Sequence, residues 1–192
     1  MFRTNPLPLA LIASVCLAAC GQERPIPGEI TLNEAFVADF DLIDVNGEQA
    51  TDERFEGKPM LIYYGFTSCP DVCPVALSVL AATLDQLGSD ADKLQPLFIT
   101  VDPERDTPER LGQHLAFAPE ILGLTGSVEA IEDAKAKMRV FAKKVPLPNS
   151  EAEYTVDHQS MFFLTDAEGT PIRAFDDTTD PETFAQRLKT WL

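Results

Sequence analysis

The sequence predicts an α/β domain with a central mixed sheet, flanking helices and an N-terminal β-hairpin, and three observations carry that prediction. A continuous apolar run over residues 60–66 and a mainly apolar one over 94–101 have strand length, as strands buried on both sides do. Each run is followed by a helical pattern. Near the C-terminus, Ala167-Glu168-Gly169 separates two further strand-like runs, which adds an antiparallel edge.

Taken in order, residues 36–43 alternate loosely, and Asn46-Gly47 is a hairpin dipeptide because both positions tolerate the positive φ of the tight turn. Residues 60–66 form the first core strand. Beyond a loop at 67–74, Val75, Leu77, Val79, Leu80, Leu84 and Leu87 recur at helical spacing, and Gly88 stops the run. Residues 94–101 form the second core strand. Thr107 is suited to cap the next helix, with Pro108 at its first position. Val128, Ile131, Ala134, Met138 and Phe141 mark a further helix whose apolar stripe reads as core. Residues 142–157 show little hydrophobic pattern and are expected to be a long loop, of the kind that carries function. Residues 159–165 and 171–175 make a hairpin, and 181–192 a closing helix. The order βαβα, a further helix, then ββα requires a parallel core with an antiparallel edge. This is a thioredoxin-like topology. It sets the 67–74 loop at the C-terminal end of a core strand, where such sheets hold ligands.

A chain of 192 residues makes one domain once a short N-terminal segment is set aside. The divisions expected are an export signal over 1–19, a linker over 20–33 with two prolines and two glycines, and the domain over 34–192. At that size the core needs no structural metal or disulfide. The net charge of −16, from 31 acidic against 15 basic residues, excludes nucleic acid as a partner. It also gives no attraction to anionic lipid, so any membrane attachment must come from elsewhere. Arg3 precedes an apolar run over 7–19 that is shorter than the roughly 20 residues of a spanning helix. The run ends Leu17-Ala18-Ala19-Cys20 and resembles the lipobox of bacterial lipoproteins. That resemblance implies cleavage before Cys20, acylation of its sulfur, and an exported, membrane-anchored protein facing the periplasm or cell exterior.

Of four cysteines, Cys16 lies within the signal and Cys20 is the expected lipid site, which leaves Cys69 and Cys73. In an exported protein two close thiols serve a disulfide or a metal. Both belong to Thr67-Ser68-Cys69-Pro70-Asp71-Val72-Cys73-Pro74, at the start of a helix whose dipole favours thiolate. A spacing of four sets them on one face, with Cβ atoms about 5–6 Å apart. Two soft thiolates suit cuprous copper, and one imidazole would complete a three-coordinate site able to hold cupric ion as well. Zinc normally wants a fourth ligand. The two histidines are His114, expected on a helix surface, and His158, at the end of the long loop. Position alone reads His158 equally well as a ligand and as a hydrogen-bonded residue entering a strand.

Three separated motifs then carry a resemblance. Tyr64-Gly65-Phe66-Thr67-Ser68-Cys69-Pro70-Asp71-Val72-Cys73-Pro74, Val101-Asp102-Pro103-Glu104-Arg105-Asp106-Thr107-Pro108 and Tyr154-Thr155-Val156-Asp157-His158 resemble, in order, the signatures of the Sco/SenC family, over about residues 34–192. The resemblance implies copper held by Cys69, Cys73 and His158, and a metallochaperone that assists assembly of the dinuclear copper centre of cytochrome c oxidase. It also leaves open a thiol-disulfide reductase with a redox-active Cys69–Cys73 disulfide, which keeps the copper-ligand cysteines of the oxidase reduced. The implied partners are the copper-bearing subunit of the oxidase, other copper chaperones, thiol-disulfide oxidoreductases, and the membrane through the lipid anchor. A thiol peroxidase is disfavoured: the proline and hydroxyl positions its motif requires before Cys69 hold Ile62 and Phe66.

Several neighbours have a bland reading beside a functional one. Asp71 and Asp157 either tune the ligands and meet a partner, or are turn and loop carboxylates. Asp102, Glu104, Arg105 and Asp106 read as turn and helix-start chemistry on the rim of the crevice. Lys143 and Lys144 read as a solvated helix end, and Tyr154 as a cover for the site.

Overall fold

The computed structural model describes residues 25–148, 150 and 152–192, so the segment expected to be an export signal and the expected lipid site at Cys20 lie outside the described residues. The segment expected to be linker is partly built into the domain. The Ile26 amide donates to the Glu29 carboxylate at 3.0 Å, and β1 (Ile30–Thr31) pairs antiparallel with β10 (Pro171–Asp176). The Glu29 carboxylate is 1% exposed and accepts from Arg187 Nε and Nη2, both at 2.9 Å, and from Arg173 Nε at 3.1 Å. Trp191 lies against the Arg173 guanidinium, 4.4 Å from ring centroid to Cζ.

Burial alone pushes the Glu29 pKa up, but Arg187, the Ile26 amide and Arg173 together outweigh it and hold the carboxyl below its usual 4.5. Folding therefore favours the charged form. Its stabilisation is complete above the unfolded pKa and is lost as pH falls below it toward the folded value. Glu29→Ala removes the buried carboxylate that Arg187 and Arg173 share and is expected to cost about 3 kcal/mol, a fall in Tm of roughly 6–12 °C by thermal melt at pH 7. The difference between variant and parent shrinks below about pH 4.

The hairpin forms where Asn46-Gly47 predicts it. β2 (Asp41–Asp44) and β3 (Gln49–Thr51) pair with Asp41 opposite Thr51, and Gly47 takes φ +78° in the turn. The buried Asp44 carboxylate fixes that turn by accepting the Asn46 and Glu48 amides at 2.8 and 3.1 Å. The first strand is shorter than the 36–43 run suggested.

All six residues of β4 (Met60–Gly65) are buried. β4 pairs in parallel with β5 (Gln95–Thr100), which pairs in parallel with β6 (Leu122–Thr125). On its other side β4 meets β9 (Met161–Thr165) antiparallel, and the eight strands run β1-β10-β9-β4-β5-β6-β2-β3. This is the mixed, thioredoxin-like sheet that the sequence predicted. Gly65 lets Tyr63 and Phe98 close over the strand end, since a Cβ there would lie 2.9 Å from each ring.

Four helices cover the sheet: α1 (Val72–Leu87), α2 (Pro108–His114), α3 (Val128–Lys137) and α4 (Pro181–Leu188). Thr107, Ser127 and Asp180 cap the last three by accepting amides of Arg110, Ala130 and Thr183, and Gly88, at φ +59°, ends α1. α1 packs against α4, whose Phe184 fills the core against Phe162 and Phe175 at 5.3 and 4.9 Å.

Two further parts of the fold differ from the reading of the sequence. β6 was not expected, because a four-residue strand containing Gly123 gives no periodic signal. That glycine is needed, since a Cβ there would lie 2.8 Å from Leu115 and 3.0 Å from Val45. Residues 142–157 are not a continuous loop. β7 (Ala142–Pro146) and β8 (Tyr154–His158) form a separate antiparallel ribbon, with Ala142 opposite His158 and Pro146 opposite Tyr154. Val156 alone of these ten residues is buried, so no alternation of apolar and polar residues marks the ribbon as a strand pair.

Candidate metal centre

The thiols stand at the junction of β4 and α1. The chain leaves the sheet at Phe66 and turns so that the Cys69 amide donates to the Phe66 carbonyl at 3.2 Å. Cys73 is the second residue of α1, and its amide points at Cys69 Sγ, 3.4 Å away. This is the geometry of an exposed helix start, whose unpaired N–H groups favour a sulfur lone pair. Cys69 is half-buried and Cys73 fully buried, and both are free thiols.

His158 comes from the last position of β8. Its Nδ1 lies 3.0 Å from the Gln159 carbonyl, so Nδ1 carries the proton and Nε2 keeps its lone pair. Nε2 lies 3.4 Å from Cys73 Sγ. The ring meets Phe66 and Tyr63 edge-on, with centroids 5.7 and 6.4 Å away. Burial lowers its pKa, outweighing the Gln159 carbonyl and the nearby Asp157 and Asp177 carboxylates, so the imidazole is in its neutral, ligating form.

The two sulfurs and the imidazole nitrogen lie within 4.8 Å of one another. Donors on opposite sides of one ion, each about 2.3 Å from it, would be about 4.6 Å apart. Side-chain shifts of some tenths of an ångström therefore bring all three into one coordination sphere. Two sulfurs with one imidazole suit a soft metal.

One expectation about the thiols is overturned. Burial, aided by the neighbouring Cys69, pushes the Cys73 thiol up to about 12, although the Phe66 amide and the Tyr63 hydroxyl pull the other way. Desolvation prevails over the helix terminus. Free Cys73 is a protonated thiol at neutral pH, so a metal must displace its proton on binding, and affinity rises with pH. From Tyr63 the hydrogen bonds continue to Ser160 Oγ at 2.7 Å and on to Asp177 at 2.5 Å. This ties the start of β9 to the end of β10.

His114 is not on the surface as expected. It is half-buried, packs on Phe98 at 6.0 Å, and encloses its Nε2 without a partner among the described residues. It takes no part in the cluster. Asp71 and Asp157 are exposed, and the Asp71 side chain does not cap α1.

Residues 102–106 do more than the turn chemistry expected of them. Asp106 is fully buried and accepts from the Thr67 amide at 3.0 Å, the Thr67 hydroxyl at 2.6 Å and the Thr100 hydroxyl at 2.7 Å. It thereby clamps the start of the cysteine loop to the end of β5. Arg110 adds bonds to Thr67 Oγ1 and Ser68 Oγ, both 2.8 Å. Asp102, also fully buried, pairs with Arg105 and accepts from the Tyr154 hydroxyl at 2.8 Å. Burial, with the Asp102 carboxylate beside it, pushes Tyr154 up to about 12. Lys144 is partly exposed and pairs with Glu104; Lys143 is exposed. The signal in the sequence was the density of carboxylates and hydroxyls at the end of a buried strand, where turn chemistry alone does not require full burial.

A thioredoxin-like domain with two thiols and an imidazole at the end of its central strand defines a class of proteins that hold a soft metal or exchange disulfides. The sequence profile of the SCO1/SenC family matches residues 28–192, and the chain belongs to that family. It is 37% identical over 171 residues to a SCO2-like protein of Rickettsia conorii, covering 87% of this chain and 83% of the relative. With the protein sco1 of Schizosaccharomyces pombe it shares 41% over 152 residues, 78% of this chain and 58% of the yeast protein. In structure it is similar to Bradyrhizobium japonicum ScoI with copper bound, with a TM-score of 0.76 and 40% identity, covering 82% of this chain and 99% of that one.

Proposed function

We propose that this chain binds a single copper ion through Cys69, Cys73 and His158 and passes it to the copper-bearing subunit of a cytochrome c oxidase while the dinuclear copper centre is assembled. The observation that carries the reading is the convergence of two sulfurs and a neutral imidazole within 4.8 Å. A copper-bound relative of the same fold, 40% identical, supports it. Cys69, the more accessible thiol, is where a partner's ligand enters. Cys73 and the enclosed imidazole keep the ion from water until exchange is under way. In cells carrying His158→Ala, oxidase copper content falls; unchanged copper content contradicts the chaperone role.

The free thiols support a second reading, a thiol-disulfide reductase acting on the same oxidase subunit. The Cys69 thiolate attacks a partner disulfide and one partner thiolate leaves. Cys73 then attacks the mixed disulfide, so the chain ends as Cys69–Cys73 disulfide and the partner as a dithiol. Other copper chaperones would load the site, and thiol-disulfide oxidoreductases would reset it.

The lipobox supports export and attachment through Cys20. Five residues, 21–25, then separate the lipid from the clamped segment at Ile26. At no more than about 3.6 Å each they hold the domain within about 20 Å of the bilayer. Inhibition of lipoprotein signal peptidase is expected to leave a larger precursor on a gel, and unchanged mobility contradicts the anchor.

A further inference from the structure

The two halves of the cluster belong to parts of the fold that share no strand pairing. Cys69 and Cys73 sit on the β4–α1 junction of the eight-stranded sheet, and His158 on the separate β7–β8 ribbon. A two-stranded ribbon is at best marginally stable alone. The distance between imidazole and thiols therefore depends on what fastens the ribbon to the body as well as on the short link from His158 to the start of β9.

Arg105 lies at that seam. It pairs with the fully buried Asp102, and its Nη1 donates to the Tyr154 carbonyl at 3.0 Å and the Ala152 carbonyl at 3.3 Å. Its guanidinium carbon lies 3.8 Å from the Tyr154 ring centroid and 5.9 Å from that of Phe66. The Tyr154 hydroxyl returns to Asp102 at 2.8 Å and closes the circuit. Both ends matter to the site: Tyr154 begins the strand that ends at His158, while Phe66 holds the Cys69 amide and meets the His158 ring edge-on. Asp102 is anchored through its amide to Thr100, and its carbonyl accepts the Asp106 amide. The short 102–106 segment thus grips the ribbon through Arg105 and the cysteine loop through Asp106. Lys144 with Glu104 is an ion pair that crosses the seam; both side chains are about half exposed, and such pairs contribute little.

We propose that Arg105, seated between Asp102, Tyr154 and Phe66, is a positioning residue that latches the ribbon bearing His158 against the thiol loop. With the latch closed the site offers two sulfurs and a nitrogen. With it open the site offers two sulfurs, a donor set that favours cuprous over cupric ion. The role rests on the copper reading above, and it gives the oxidation state of the cargo a structural control remote from the ligands. Lysine cannot replace the planar fork that reaches two carbonyls and stacks on a ring.

The test compares the parent with Arg105→Ala, Arg105→Lys and Tyr154→Phe by titration with cupric and, separately, cuprous ion. Paramagnetic resonance reads nitrogen coupling in the cupric form. Both arginine variants are expected to lose about 10- to 100-fold in cupric affinity, with weakened nitrogen coupling, and less than about threefold in cuprous affinity. Tyr154→Phe is expected to fall between them and the parent. In metal-free protein, amides of β7 and β8 should exchange with solvent faster in the variants, while those of β4 and α1 keep the parent rate. Equal loss of both oxidation states with a general rise in exchange would make Arg105 merely structural and overturn the proposal. So would parental cupric affinity with unchanged ribbon exchange. If Arg105→Ala fails to fold, Arg105→Lys and Tyr154→Phe decide it. A parent that binds neither ion refutes the copper reading instead, and the exchange measurement still tests the latch.

Discussion

Replacing Cys69 and Cys73 together by serine abolishes tight copper binding and leaves a folded domain. Serine hydroxyls stay protonated and are hard donors, so the soft pair that suits copper is gone and only the imidazole remains. Structural metal sites with four ligands bind with about 10–16 kcal/mol, or roughly 2.5–4 kcal/mol per ligand. Losing two therefore weakens binding by about 10⁴-fold or more. The fold survives because neither thiol is a structural disulfide. At the fully buried Cys73 a hydroxyl can still meet the Tyr63 hydroxyl, so the expected cost is about 1–2 kcal/mol and a Tm lower by some degrees. Copper retained after dialysis against a competing chelator checks the first part and a thermal melt the second. A double variant that still holds one copper per chain rules out the proposed site.

His158→Ala has the second largest expected effect and separates the two functional readings. Removing one of three donors costs cupric affinity about 10²-fold or more. Cuprous affinity falls less, since the thiolate pair remains. Thiol-disulfide exchange needs only Cys69 and Cys73, so its rate toward a model disulfide stays near the parental value. Oxidase copper content in cells should then drop if the chain delivers copper. It should hold steady if the chain acts only by keeping the partner's cysteines reduced. Loss of both exchange and copper delivery would mean that the variant has collapsed around the space left beside Phe66 and Tyr63.

The fold was legible where burial leaves a one-dimensional trace. β4 and β5 are buried along nearly their whole length and stood out as apolar runs, and Asn46-Gly47 named its turn by its conformational demand. β6 left no trace because four residues including a close-packed glycine are too few for a period. The β7–β8 ribbon was read as loop because its strands face solvent and bury only Val156. That misreading did not disturb the placement of His158, since the loop and the ribbon deliver it to the same junction before β9. The three candidate ligands do come together. The helix-terminus argument for an ionised Cys73 failed because burial depends on which neighbours close over the sulfur, and sequence spacing says nothing about that. The clamp at Asp106 and the latch at Arg105 were hidden for the same reason: their partners, Thr67 and Tyr154, lie 39 and 49 positions away along the chain.

X-ray absorption spectroscopy of the copper-loaded chain examines the shared coordination most directly. Two sulfur scatterers and one imidazole nitrogen in the inner shell, with the nitrogen absent from His158→Ala, is the predicted result. An inner shell with no nitrogen, or with a single sulfur, contradicts a site built from Cys69, Cys73 and His158.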